Sequence, residues 1–156
     1  MKMPSSTATI KIRGARKYPM SMVKVAKNKI EKPKVEIGVI NGRTPDSSYE
    51  WNIALALWKY EWKFYYQLEV LGGKDVRGGQ VLDFLVFTRP FYTALSVIGG
   101  YWHRNSQAEQ LKDSQMIKGL RAMGYPVASE VLHAFDENAS TPDDAAAFIY
   151  RSIGRS

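Results

Sequence analysis

The sequence predicts an α/β fold: a mixed central sheet of about four strands flanked by helices, carried by residues 46–156 and preceded by a basic arm, 1–45. Three observations lead there. Short runs rich in β-branched and aromatic residues (63–71, 78–87, 93–98 and 125–135) alternate with segments that carry helix start and stop signals. The Gly-Gly pairs at 72–73 and 78–79 bracket a short loop between the first two runs, which makes those runs a hairpin. Positive charge is concentrated ahead of all of these elements. With 45% apolar and 12% aromatic residues over 156 positions, a single domain has enough material for one sizeable core.

The arm holds most of the charge. Residues 1–43 contain eleven lysines and arginines against Glu31 and Glu36, a net +9 that leaves −2 for the remainder of a chain carrying +7. Lys11, Arg13, Arg16, Lys17, Lys24, Lys27 and Lys29 are candidates for phosphate contacts on nucleic acid. A solubilising tail and a dock for an acidic protein are the alternatives. Residues 8–14 and 33–40 alternate apolar and polar side chains and are expected as short strands, interrupted by Pro4, Pro19 and Pro33. The turn-rich "NGRTPDSS" at 41–48, which contains Pro45, closes the arm.

Ser47 and Glu50 form a capping-box pattern that opens the first helix, and Trp51, Leu55, Trp58 and Trp62 follow as one apolar stripe expected to dock on the sheet. Three strands come next. A second helix opens at Ser106, with Glu109 completing another capping box, and stops at Gly124. The fourth strand, 125–135, is followed by a polar loop. Thr141, Pro142, Asp143 and Asp144 then supply an N-cap, a first-turn proline and two acids for the last helix.

A few residues are out of place in this pattern. Regular alternation puts Leu82, Phe84 and Val86 on one face of the second strand and Val81, Leu85 and Phe87 on the other. Asp83 is left among apolar neighbours, where a carboxylate is costly unless paired, hydrogen-bonded or metal-bound; it is a metal ligand or a structural acid. Asp113 shares the inward stripe of Met116, Ile117, Leu120 and Met123, beyond the reach of the helix dipole. His103 follows Gly99, Gly100, Tyr101 and Trp102 at a strand exit. Glu50 is explained by capping, and Glu61 lies three turns further along the same helix flank. His133, late in the fourth strand, has no acidic company in the sequence and reads as structural or exposed.

Some classes are excluded from the start. Without cysteine there is no disulfide framework and no thiolate metal site. No run approaches the ~18 apolar residues of a membrane span, and the N-terminus lacks the apolar core of a signal peptide, so a cytoplasmic protein is expected.

Taken together, Glu50-Trp51 at a helix start, "YYQLEVLGG", "GGQVLDFLVF", "LSVIGGYWH" and an Asp-bearing helix ending "LRAMGYPV" resemble the very-short-patch-repair endonuclease superfamily. That superfamily includes homing endonucleases with a Glu-Asp-x-His-Asp signature, within the PD-(D/E)xK, restriction-endonuclease-like fold. The resemblance spans residues 47–135. It implies a Mg²⁺-dependent DNA endonuclease, homing-type or structure-specific, encoded by a phage or mobile element and acting in the cytoplasm of a bacterial or infected cell. Asp83, Asp113 and the backbone carbonyl of Val97 would then serve the metal. His103 would activate water, Glu50 (or Glu61) would be the first acid of the signature, and Tyr101 and Trp102 would lie near the DNA, with packing on the core the alternative for Trp102; Arg104 is a further nucleic-acid candidate. Cutting both strands would call for a homodimer or for two separate cutting events. Ser96, Val97 and Ile98 stand where the wider pattern has a third-strand acid and lysine, so a catalytically degenerate DNA-binding or structural relative is the alternative. Ile98 in place of a further histidine, and the absence of zinc-binding cysteines, favour the homing branch over mismatch repair.

Overall fold

A computed structural model describes residues 37–99 and 107–156, all within one compact unit, Glu36–Ser156. Its elements are α1 (Ser48–Lys59), β1 (Phe64–Val70), β2 (Gln80–Val86), β3 (Thr93–Ile98), α2 (Gln107–Ala122), β4 (Leu132–Phe135), α3 (Asp136–Ala139) and α4 (Pro142–Ile153). The four strands form one sheet in sequence order. β1, β2 and β3 are antiparallel neighbours, and β4 runs parallel to β3. A parallel pair needs a crossover, and α2 lies in that connection.

The expected α/β class and mixed four-stranded sheet are therefore present, with helices on both faces. Ile53, Leu57, Phe64, Phe84, Val86, Leu95 and Ile149 are among the residues packing one face under α1, α3 and α4. Val70, Leu82, Leu85, Ala94, Met116, Ile117 and Leu120 pack the other face under α2. Among the described residues no helix is long and apolar enough to cross a membrane.

Three expectations change. The stripe of α1 that faces the sheet is Glu50, Ile53, Ala54 and Leu57, not the tryptophans. Small and medium side chains let the helix lie close to the sheet. Trp58 stays at the rim, 40% exposed, and Trp51 covers Gly38, where a Cβ would come within 2.7 Å of the indole. Ile40 is fully buried in the α1 core, so residues 37–45 belong to the body rather than to the arm. Ile40 and Arg43 exchange backbone hydrogen bonds of 2.8 and 2.9 Å around Asn41 and Gly42, whose φ angles of 48° and 87° make a tight two-residue turn. Finally, β4 is only four residues long. Between 125 and 131 a lone bridge joins Val127 to Tyr92, and a short helix, α3, replaces the expected loop, its first turn tied by Asn138 Oδ1 accepting from the Phe135 N–H at 2.9 Å.

The contact of α2 with the end of β1 depends on Gly119. A Cβ at that position would stand 2.5 Å from Val70 Cγ1 and 3.0 Å from Leu71 Cγ. Gly119→Ala is expected to destabilise the protein by about 1–3 kcal/mol through this overlap, although alanine gains about 1 kcal/mol of helix preference. Urea unfolding measures the difference, and a stabilised variant would show that α2 moves freely off the sheet.

Candidate functional site

The sheet is irregular at one place, and Asp83 is at the centre of it. The β1–β2 register pairs Tyr66 with Phe84 and Leu68 with Leu82, but skips the intervening pair Gln67 and Asp83. Gln67 has a φ of 54°, a left-handed conformation that an L side chain adopts at a cost. The alternation of faces slips at this point: Phe84 packs under α1 whereas Leu82, two residues away, packs under α2. Leu82, Phe84 and Val86 thus do not share a face as expected. On its other side, β2 is paired with β3 only as far as Phe84 and Leu95. Past that pair the carboxylate of Asp83 takes over from the ladder, its Oδ2 accepting the Val97 N–H at 2.7 Å. In an extended strand the N–H and C=O of one residue point the same way, so the Val97 carbonyl is directed toward the same opening.

Glu50 lies near this fork on α1, close enough for its charge to act on Asp83. Ser47 Oγ accepts the Glu50 N–H at 3.2 Å, which anchors the helix start. The side chain is 8% exposed and Oε1 accepts from the Tyr66 hydroxyl. Gln67 Nε2 donates to Tyr66 Oη at 3.1 Å and to Asp46 Oδ2 at 2.9 Å. The left-handed turn of Gln67 is what brings its amide beside Tyr66.

Both acids, Glu50 buried and Asp83 half-buried, are poised against ionisation. Burial pushes the Asp83 carboxyl up to about 7; the Val97 N–H opposes that rise, and the negative charges of Glu50 and Asp46 add to it. Burial also raises Glu50, against the Tyr66 hydrogen bond and with a further push from Asp46. Tyr66, buried beside Glu50, is held well above the ordinary phenol range. The charge of Glu50 disfavours that of Asp83 in a partly dry site, a strain that either a proton or a bound cation relieves. The oxygen donors of the two acids, with a carbonyl nearby, suit a hard divalent ion such as Mg²⁺. Among the described residues no group of three or more acid, histidine or cysteine side chains converges to hold a metal, so the pair would need water, substrate oxygens or backbone to complete a shell.

Asp113 is not brought into this cluster. It faces β4 on the α2 side of the sheet, where its Oδ2 lies 2.8 Å from His133 Nε2. Burial raises its pKa and His133 opposes the rise; Glu109 and Lys112 are its other charged neighbours. His133 therefore has acidic company that the sequence hid, because the crossover brings residues 113 and 133 together. Glu61 is no substitute for Glu50: α1 ends at Lys59, and Glu61 sits exposed in a turn with a φ of 65°. His103, Tyr101, Trp102, Arg104 and the arm candidates Lys11, Arg13, Arg16, Lys17, Lys24, Lys27 and Lys29 lie outside the described residues. Tyr66, Gln67 and Asp46 had no signal in the sequence beyond their polarity. No family model, curated protein or solved structure matches the chain.

Proposed function

We propose that the protein is a Mg²⁺-dependent DNA endonuclease with a restriction-endonuclease-like core, of the homing or structure-specific kind. The nearness of Glu50 to Asp83, close enough for its charge to raise the Asp83 carboxyl, at a break in the sheet where Asp83 accepts the Val97 N–H, supports this reading. The mixed four-stranded sheet flanked by helices supports it, as the kind of core that the resemblance implies.

Glu50 and Asp83, with the carbonyl of Val97, are the residues that would hold the metal. Bound there, it would supply charge neutralisation at the phosphate and a more acidic water. The protein's own groups have separate tasks. Tyr66 fixes the Glu50 carboxylate, and the Val97 N–H fixes that of Asp83. His103, ordinarily titrating near neutrality, takes a proton from the attacking water. The basic arm supplies affinity through phosphates. Asp113, engaged with His133, has a positioning role on α2 rather than a place at the metal.

Cleavage of supercoiled plasmid and branched DNA in Mg²⁺ or in EDTA tests the proposal. Cutting that needs the metal and disappears in His103→Ala, with DNA binding and folding retained, is the expected result. Undiminished cutting by that variant removes the base assignment. Tight binding with no cutting of any substrate would favour a degenerate, non-catalytic relative, the reading that Ser96 and Ile98 on β3 support.

A further inference from the structure

We propose that the groove between the Asn41–Gly42 turn and the outer edge of β1 holds one unpaired nucleotide of the strand being processed. The base lies against Tyr65 and Tyr125, and the phosphate sits on Arg43. The inference rests on the nuclease reading, since it names the form of nucleic acid that reaches the Glu50–Asp83 site.

The groove has a volume of about 360 Å³ and is lined by Asn41, Arg43, Tyr65, Gln67, Glu69 and Tyr125 together with Tyr66 and Leu68. That is the lower end of the ~300–1,000 Å³ of small-ligand sites, room for one nucleotide and not for a duplex. Tyr65 is 44% exposed, yet its ring is braced edge-on by Phe87 at 5.0 Å and by Tyr125 at 6.1 Å; Tyr125 is in turn flanked by Tyr92 at 6.2 Å. A braced, exposed ring offers a base a stacking face at little entropic cost, and every base has a π-face to meet it. Stacking needs an unpaired base, because in a duplex the base faces are covered by their neighbours.

Polar groups surround the rings. Arg43 leaves the tight turn just before α1 and donates to Gln67 Oε1 at 3.4 Å, placing a planar cation in the groove. Asn41, with a φ of 48°, donates its amide to the Phe64 carbonyl at 3.3 Å, so the turn is fastened to β1. Glu69 is the one acid of the lining and suits the exocyclic amine of a base edge. Gln67 links the groove to the acids: it holds Arg43 on one side and, through Tyr66, Glu50 on the other. A nucleotide seated here lies two side chains from the candidate metal pair.

The test is binding of labelled oligothymidylate and of a duplex of equal length, followed by fluorescence anisotropy across a salt series in EDTA. Tyr65→Leu is expected to weaken oligothymidylate binding about tenfold while leaving duplex affinity and the salt slope unchanged; Tyr65→Phe restores it. Arg43→Gln is expected to reduce the single-strand salt slope by about 0.7, one phosphate contact. Equal oligothymidylate affinity of Tyr65→Leu and wild type overturns the proposal, as does a matched loss on single strand and duplex. Because metal is absent, the result does not depend on cleavage. A protein that cuts DNA but shows no Tyr65 effect loses the groove alone. One that never cuts but shows the effect keeps the groove and loses the nuclease reading.

Discussion

Asp83→Asn is expected to cut cleavage by at least about 10²-fold and, in the same protein, to raise stability above pH 7. The two effects have one cause. The Asp83 carboxyl titrates at about 7 in the folded chain and at 3.8 ordinarily. Between those values the folded state binds more protons than the unfolded state, so stability falls as pH rises through this window and levels off above pH 7. At about 1.4 kcal/mol per unit, the ionised carboxylate costs the fold up to about 4 kcal/mol at pH 8. Asparagine has no charge to desolvate and keeps an oxygen for the Val97 N–H, although its amide group then needs a partner. A net gain of about 2 kcal/mol at pH 8, with little change at pH 4, is the expectation for urea unfolding in EDTA. Cleavage should drop by about 10²–10³-fold or more, the range for lost transition-state electrostatics. Parallel pH profiles for the two proteins would show that Asp83 is not the strained acid.

Phe84→Ala has the largest expected effect on stability. Phe84 is fully buried next to Asp83, with its ring 5.5 Å from Phe64 and 5.1 Å from Tyr66. Removing a ring at such a site costs about 3–5 kcal/mol, a large share of the 5–15 kcal/mol that holds a domain together. Tyr66 would also lose the surface that fixes its hydroxyl on Glu50. The milder Phe84→Leu should therefore fold, and its pH–stability profile should shift because Glu50 is held less firmly. A thermal melt for the alanine variant and the pH series for leucine check the two parts. An alanine variant within about 1 kcal/mol of wild type would mean that the sheet collapses around the gap.

Local periodicity was enough for the class of fold. The capping signals at Ser47 and Thr141, the glycines that bracket the first hairpin and the apolar runs each act within a few residues, and helices and strands appear where they point. What the sequence did not disclose are features made by distant parts of the chain. The partner of Asp113 is His133, brought to it by the crossover, and no spacing in the sequence marks that. The sequence did mark Asp83 as out of place but implied a regular strand around it. The slip of faces at Gln67 and Asp83 arises from pairing between two strands, which alternation along one strand does not encode. Burial of Glu50 was hidden for a different reason: three tryptophans outweigh Ile53, Ala54 and Leu57 in any count of hydrophobicity, yet the smaller side chains let the helix approach.

The pairing of Glu50 with Asp83 as a cation site is the claim on which the rest depends, and calorimetric titration of the full chain with Mg²⁺ tests it most directly. Wild type should bind the ion at pH 8 and less tightly at pH 6, where the proton on Asp83 competes. Glu50→Gln and Asp83→Asn should each weaken binding at least tenfold, the scale on which metal sites respond to altered partners of their ligands (~10–100-fold). Mg²⁺ binding of equal strength in wild type and both variants, or no binding to wild type at pH 8, would contradict it.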